Sequence, residues 1–252
     1  MRRSSWIFCV ICLVSGCRLY EPPRYPRWDE TRGKPSLRVL MIGDSLTYYN
    51  DLPGLLQQMS AREPNPIYIE QETIPNTSLK FHWELGQAQK RIERKKWDEV
   101  ILQDYSREPI MERSQSIVSF ERFNHVITKS GAKMVVFENW TVDGKEDEFD
   151  KLQQTYQQIQ RETGATLAPI GAAWRLCRST HPQIQLYVDD RHPSDEGTYL
   201  AACVLYDVLY HKPSAKLPMN LRGPDLPVQT MMTLRIVADQ VVNAPSSTQP
   251  AS

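Results

Sequence analysis

The chain has 252 residues, which suits a single α/β domain because one hydrophobic core typically serves up to about 250 residues. Its 30 basic and 30 acidic side chains balance, and 40% of its residues are hydrophobic, as in an ordinary globular protein. The basic residues are scattered along the sequence, so we predict no nucleic-acid partner and find no basic run suited to lipid headgroups.

The first 17 residues differ from the rest of the chain. Arg2 and Arg3 precede an apolar stretch at 6–14, and small residues follow before Cys17, an arrangement typical of a bacterial signal peptide over 1–16. The run from Leu13 to Cys17 resembles a lipobox, which implies a lipid anchor on Cys17. We therefore expect an exported protein, anchored in the bacterial cell envelope through this lipid. Plain secretion and an uncleaved signal anchor remain alternatives.

Strand and helix patterns alternate after a proline-containing spacer at 17–36. Buried-strand patterns occur at 37–42, 67–69, 99–102, 133–137 and 165–168, and helix patterns occur at 52–62, 80–95, 113–129, 146–162 and 195–210. Gly131 and Gly164 stand where helices end. The alternation predicts a mainly parallel sheet with helices on both faces, in one domain at 37–212.

A C-terminal extension at 213–252 follows this domain. It begins as a proline-rich loop, continues as a predicted last helix at 231–242 and ends in a tail that we expect to be disordered. Within the predicted domain the cysteines are Cys177 and Cys203. Export would permit a disulfide between them, and two buried thiols are the preferred interpretation.

The first strand pattern ends in Gly43-Asp44-Ser45-Leu46. In a parallel sheet the ligand crevice lies at the carboxyl ends of the strands, so this turn places Ser45 at the crevice. A serine in a tight strand-to-helix turn exposes its hydroxyl, and free N–H groups at the start of the next helix can support a negative charge. A simple turn with a helix cap would have the same sequence, so this motif alone leaves both interpretations open.

A serine nucleophile needs a base, and His192 is the best placed of the five histidines. It stands just before a helix that Ser194 can cap, and a carboxylate three residues earlier can reach back to its Nδ1–H. This spacing favours Asp189, with Asp190 as the alternative. The Nε2 atom of His192 is then free to face Ser45.

The two motifs together resemble the SGNH (GDSL-like) hydrolases. Gly43-Asp44-Ser45-Leu46 is similar to the first conserved block of that family, and Asp189-x-x-His192-Pro193-Ser194 is similar to its last block. The resemblance covers residues 37 to 210 and implies a flavodoxin-like three-layer α/β/α sandwich. It also implies a serine esterase in which Ser45, His192 and Asp189 form the catalytic triad.

The two middle blocks of that family supply donors to the oxyanion hole. Asn76 stands where the family has a glycine, and asparagine tolerates positive φ better than most residues. Gln103, which follows the third strand pattern, offers a side-chain amide where the family has asparagine. Gln103-x-x-Ser106 resembles an SGNH-like bacterial subgroup in which this glutamine is the usual residue. The resemblance implies an oxyanion hole that includes Asn76 and Gln103.

Four more residues are candidates for the cleft: Asp44, His82, Ser106 and Trp140. For His82 and Trp140, packing in the core is the alternative. No set of His, Cys, Asp and Glu has the spacing of zinc ligands, and there is no glycine-rich phosphate loop. We therefore predict no metal and no cofactor.

The sequence thus predicts hydrolysis of carboxylic esters through an acyl-enzyme on Ser45. An acylated glycan of the cell envelope, carrying acetyl or short acyl groups, is the expected substrate. A lipase is one alternative. Another is a catalytically weak or inactive lipoprotein that binds cell-envelope glycans, because a lost oxyanion donor costs about 10²–10³ in rate.

Overall fold

The computed structural model describes residues 36–218 and 225–244. In this part of the chain five parallel strands form one sheet in the order β2-β1-β3-β4-β5. The strands are β1 (Leu37–Gly43), β2 (Ile67–Thr73), β3 (Glu99–Leu102), β4 (Lys133–Phe137) and β5 (Thr166–Ala168). This is the strand order of flavodoxin-like folds, in which ligands bind beyond the carboxyl ends of β1 and β3. The predicted parallel sheet is confirmed.

Helices cover both faces of the sheet. Those of the described chain are α1 (Leu52–Ser60), α2 (Leu79–Leu85), α3 (Gln87–Arg94), α4 (Glu108–Met111), α5 (Arg113–Ser130), α6 (Phe149–Thr163), α7 (Ile170–Thr180), α8 (Asp195–Tyr210) and α9 (Val228–Val242). One face packs against α1, α7, α8 and α9, and the other packs against α2, α3, α5 and α6. The result is the three-layer α/β/α sandwich that the family resemblance implies.

The first strand shows why both faces are covered. Val39 and Met41 belong to the core beneath α1 and α8, whereas Leu40 and Ile42 belong to the core beneath α3 and α5. All four side chains are fully buried. Successive residues of a strand point to opposite faces, so a strand buried on both sides appears in the sequence as a continuous apolar run.

Three glycines end helices in the left-handed conformation. Gly131 and Gly164 have φ of 87° and 67° and end α5 and α6, as the sequence predicts. Gly86, with φ of 71°, ends α2, and its N–H donates to carbonyls of the preceding turn. The single helix predicted at 80–95 is therefore wrong. Glycine adopts this conformation at no steric cost, so it divides the segment into α2 and α3.

Helix α7 was not among the predicted helices. Its first turn is capped by Glu138, which follows β4 and whose Oε2 accepts the N–H of Ala172 at 2.9 Å. Burial raises the pKa of Glu138 to about 7, and the N–H of Ala172 opposes this. Gly171 allows the close approach, because a Cβ there would lie 2.2 Å from the carbonyl oxygen of Asn139. The helix begins through contacts with a distant strand end, which a local pattern does not contain.

Helix α9 belongs to the same core as the predicted domain. Leu234 and Val237 are buried against α8, so the described part of the predicted extension is packed and not separate. Cys177 and Cys203 are buried free thiols. No helix among the described residues is long and apolar enough to cross a membrane. The predicted signal peptide, Cys17 with most of its spacer, and 245–252 of the tail lie outside the described residues.

Candidate active site

A short turn beyond β1 positions Ser45. The side chain of Asp44 accepts the N–H of Leu46 at 3.0 Å, and residues Ser45–Thr47 form one turn of 3₁₀ helix. The N–H of Asp44 donates to Gln103 Oε1 at 2.8 Å, which fixes the turn to the end of β3. Ser45 is thereby held at the carboxyl edge of the sheet, as the sequence predicts.

Glycine is required just before this turn. A Cβ on Gly43 would lie 2.5 Å from Gln103 Oε1 and 2.5 Å from Thr47 Oγ1. Real Cβ atoms do not approach other heavy atoms so closely, so a larger residue would displace the Gln103 amide from the Asp44 N–H. The absence of a side chain at Gly43 therefore permits the contact between Gln103 and Asp44 that positions Ser45.

The loop between α7 and α8 carries His192 and Asp189. Ser45 Oγ lies 3.0 Å from His192 Nε2, and His192 Nδ1 lies 2.7 Å from Asp189 Oδ2. Since an ionised carboxylate can only accept, Nδ1 carries the proton and Nε2 is the acceptor for the Ser45 hydroxyl. The structure brings together the three residues that the sequence predicts for a triad.

The choice between Asp189 and Asp190 follows from their partners. Asp189 accepts the backbone N–H groups of His192 at 2.7 Å and Arg191 at 2.8 Å in addition to the imidazole. Burial alone would raise the pKa of Asp189, but these hydrogen bonds outweigh it and lower the pKa. Asp190 instead pairs with the guanidinium of Arg191. Asp189 is thus the carboxylate in contact with the imidazole.

Distant residues hold the His192 loop in place. Trp140 Nε1 donates to the carbonyl of Arg191 at 2.9 Å, and the N–H of Asp143 donates to the carbonyl of Asp190 at 2.8 Å. From the other side, Asn50 Nδ2 donates to the carbonyl of Pro193 at 2.9 Å. The ring of Tyr49 stacks on the His192 imidazole at 4.7 Å between centroids. The imidazole is therefore fixed in both position and orientation.

A cavity of about 300 Å³ opens beside Ser45 and His192. Of the predicted site residues, Asp44, Asn76 and Ser106 also line it. The remaining wall, which the sequence did not predict, consists of Leu46, Tyr48, Tyr49, Pro75, Tyr105 and Arg191. Each of these lies within four residues of a predicted site residue, and that proximity was the available signal.

Asp44 borders the cavity although it is almost completely buried. Burial raises its pKa to about 7, and the N–H of Leu46 and the contact with Gln103 oppose the rise. A carboxyl group that titrates near neutrality therefore lies directly beside the nucleophile turn.

Asn76 has the backbone conformation that its position predicts. Its φ is 55°, in the left-handed region that glycine adopts freely and asparagine tolerates. Neither its backbone N–H nor that of Ser45 has a hydrogen-bond partner among the described residues. Two unsatisfied donors thus lie at the cavity.

The prediction for Gln103 is wrong. Its side chain is fully buried and does not reach the cavity: Oε1 accepts from Asp44 and Thr47, and Nε2 donates to the Asp104 carbonyl and to Asn139 Oδ1. The N–H of Gln103 still donates to the Ile42 carbonyl, so the residue belongs to the sheet ladder and its amide points inward. Gln103 positions the nucleophile turn from behind.

His82 and Trp140 do not line the cavity either, so their placement in the cleft is wrong and the packing alternative holds. His82 is buried, with Nε2 3.0 Å from the Gly43 carbonyl oxygen, and burial lowers its pKa. Trp140 stacks on Trp174, with ring centroids 4.0 Å apart and 6° between the planes. Both residues support the site from the core, because their rings pack where the sheet meets the active-site loops.

Among the described residues no three His, Cys, Asp or Glu side chains gather in an arrangement that could hold a metal ion. The site residues described above offer a hydroxyl, an imidazole, a carboxylate and backbone N–H donors.

Comparisons with known proteins place the fold. No protein-family model matches the sequence, and no curated protein is similar to it. A DUF4886 family protein from Bacteroides uniformis has a TM-score of 0.69 at 15% identity, covering 82% of this chain and 95% of that chain. A protein from Slackia heliotrinireducens assigned as an SGNH hydrolase has a TM-score of 0.58 at 24% identity, covering 69% and 99%. An acetyl xylan esterase has a TM-score of 0.55 at 12% identity, covering 68% and 98%. The chain therefore has the fold of the SGNH-like hydrolase superfamily.

Proposed function

We propose that this protein is a serine esterase that hydrolyses carboxylic esters through an acyl-enzyme on Ser45. The proposal rests on one observation, the hydrogen-bonded series from Ser45 through His192 to Asp189. Ser45 Oγ lies 3.0 Å from His192 Nε2, and His192 Nδ1 lies 2.7 Å from Asp189 Oδ2. These distances lie within hydrogen-bond reach, as proton transfer between the groups requires. The superfamily fold and the adjoining cavity support the same conclusion.

The proposed reaction begins when His192 Nε2 takes the proton of Ser45 as Oγ bonds to the ester carbonyl carbon. Asp189 stays ionised because its pKa is lowered, so it stabilises the imidazolium that forms. His192 then protonates the departing alcohol oxygen as the ester C–O bond breaks. A water molecule then gives a proton to His192 as its oxygen bonds to the acyl carbon. The bond between that carbon and Ser45 Oγ breaks, the acid leaves, and His192 returns the proton to Oγ.

The carbonyl oxygen needs donors while it carries negative charge. The free backbone N–H groups of Ser45 and Asn76 supply two. Because Gln103 is turned away, we assign the third donor to the hydroxyl of Ser106, which lines the same cavity. Removing one such donor typically costs about 10²–10³ in kcat.

The cavity favours a small acyl group on a polar alcohol. At about 300 Å³ it stands at the lower end of ligand-pocket volumes. Tyrosine rings and the Arg191 guanidinium line it, and such groups suit a hydroxylated leaving group such as a sugar. The similar fold of an acetyl xylan esterase supports acetylated carbohydrate as the substrate class.

The decisive test is hydrolysis of p-nitrophenyl acetate together with labelling by a fluorophosphonate probe. Wild type should turn over the ester and become labelled, and Ser45→Ala should lose both. Ser179→Ala is the matched control, because it removes an exposed hydroxyl of α7 outside the cavity and should leave both turnover and labelling unchanged. Labelling that persists in Ser45→Ala, or none in folded wild type, would overturn the proposal.

A chain-length series tests the substrate class. The kcat/KM for p-nitrophenyl esters should fall from acetate to decanoate, and acetylated xylo-oligosaccharides should be deacetylated. A maximum at octanoate or longer would assign a lipase instead. Binding of oligosaccharide without turnover of any ester would assign the inactive glycan-binding scaffold that the altered oxyanion positions suggest.

Lipid anchoring is a separate proposal. The signal-like segment before Cys17 supports export, with a lipid on the Cys17 sulfur that holds the protein in the cell envelope. Cys17→Ser should move the protein from the membrane fraction to the soluble fraction. Unchanged partitioning would contradict the anchor.

A further inference from the structure

The end of the molecule opposite the cleft has its own surface chemistry. In a parallel α/β sandwich each helix ends near the point where the next strand begins, so the loops that precede the strands gather at one end. The cleft lies at the other end, beyond the seven residues of β1, a distance of about 20 Å. Residues far apart in the sequence therefore share one surface.

These loops carry exposed basic side chains, which together we call the basic end. Its members are Arg62 after α1, Arg94 and Lys96 at and after the end of α3, Lys129 near the end of α5, Arg161 near the end of α6, and Lys216 after α8. None of the six forms an ion pair within the described part of the chain.

The acidic side chains at this end do not cancel the basic ones. Glu63 is already paired with Lys212, and Asp98 is paired with Arg38. Burial raises the pKa of Glu99 to about 7, so this group carries only part of a negative charge at neutral pH. Glu93 and Glu162 are exposed and form no ion pair in the described chain, so the six unpaired cations still outnumber the unpaired acids.

The cleft end shows the opposite balance. Its acids without an ion pair in the described chain lie at the starts of α4, α5 and α8 and before α6: Glu108, Glu112, Asp195, Glu196 and Asp147. Basic residues favour helix C-termini and acidic residues favour N-termini because of the helix dipole. Because the helices that follow strands all run the same way, this local preference places the unpaired acids and the unpaired bases at opposite ends of the domain.

We propose that the basic end binds the anionic phospholipid headgroups of a bilayer and turns the cleft away from that membrane. The described chain begins at Ser36, next to β1, so the preceding residues with their apolar stretch at 6–14 join the domain at this same end. Exposed lysine and arginine side chains at one end of a domain are attracted to an anionic lipid surface. Trp97, the aromatic residue beside Lys96, is buried, so it offers no face for stacking nucleic-acid bases.

This orientation bears on the substrate. A cleft about 20 Å from the basic end faces the surrounding space, where a polysaccharide or a soluble ester can reach Ser45. Lipids of the bound bilayer could not reach Ser45 in this orientation.

The proposal can be tested by sedimentation of the full chain with phosphatidylcholine vesicles, with or without 30% phosphatidylglycerol. The apolar stretch at 6–14 contributes equally to both vesicle types, so their difference isolates the effect of charge. Lys96→Gln/Lys129→Gln/Lys216→Gln should weaken binding to the anionic vesicles about 100-fold, since each charge near the surface contributes about fivefold. The matched control is Lys80→Gln/Lys145→Gln/Lys151→Gln, which removes the same charge near the cleft end.

The control variant should bind like wild type, and added salt should reduce wild-type binding towards that of the first variant. Equal loss in both variants would show a net-charge effect and overturn the proposal, as would equal binding to neutral and anionic vesicles. Binding to RNA without binding to anionic vesicles would replace the lipid by nucleic acid and likewise overturn it.

Discussion

Asn76 and Gln103 are predicted to serve the same oxyanion, yet the structure places them on opposite sides of the nucleophile turn. Asn76 is exposed at the cavity with φ of 55°, in a turn after β2. Gln103 directly follows β3 and remains in the sheet ladder. Its side-chain amide accepts from the N–H of Asp44 and donates to Asn139. Residues that line the cleft and residues that support it from behind can therefore occupy equivalent strand ends.

A strand end thus predicts the location of a residue but not the direction of its side chain. The direction depends on whether the backbone has already left the ladder. Four variants test the distinction between residues of the site and residues that support it from behind.

The largest effect is expected at Asp189, the carboxylate that contacts the His192 imidazole. Asp189→Asn should lower kcat about 10³-fold, because the amide can no longer accept both backbone N–H groups and orient Nδ1–H of His192. Asp190→Asn removes only a surface pair with Arg191 and should change kcat less than about fivefold. Steady-state ester hydrolysis by both variants gives the comparison, and similar losses would contradict the assignment of Asp189.

Gln103→Leu tests the supporting role. The change leaves the N–H of Asp44 buried without its acceptor, so the free energy of unfolding should fall by about 2–3 kcal/mol. Urea denaturation measures this, with kcat measured in parallel. If the variant keeps its stability but has a kcat about 100-fold lower, Gln103 contributes to the oxyanion hole after all.

Asp44 stands on the border between the two groups, and its titration gives a pH-dependent test. Its pKa is about 7 in the folded protein against 3.8 for the ordinary group, so the folded state retains a proton that the unfolded chain releases. Stability should therefore fall as pH rises between these values, by up to about 1.4 kcal/mol per pH unit. Asp44→Asn should make this dependence shallower by the contribution of one group in urea unfolding measured from pH 4.5 to 8, and the contributions of Glu99 and Glu138 should remain. Parallel pH profiles for variant and wild type would contradict it.

The smallest effect is expected from the indole that supports the His192 loop. Trp140→Phe keeps an aromatic ring against Trp174 but removes the hydrogen bond to the Arg191 carbonyl, so kcat should fall about fivefold at unchanged KM. Trp174→Phe is the matched control, because Trp174 Nε1 is buried without a partner among the described residues. Equal kcat for the two variants would show that the Trp140 hydrogen bond does not position His192.

Features that depend on neighbouring residues could be predicted from the sequence. Continuous apolar runs define the strands because β1 is buried on both faces, and the three-residue spacing of Asp189 and His192 closes a turn that any fold would preserve. Gly131 and Gly164 end their helices through their own backbone freedom. These predictions held because the forces behind them act within a few residues.

Features that join distant segments could not be predicted, because they depend on contacts made only in the folded chain. The inward direction of Gln103 depends on contacts with β1, and the role of Trp140 depends on a loop 51 residues away. The start of α7 depends on Glu138 in the same way. Scattered lysines and arginines form one basic end only because parallel strands bring the ends of successive helices together, an arrangement that no local pattern contains.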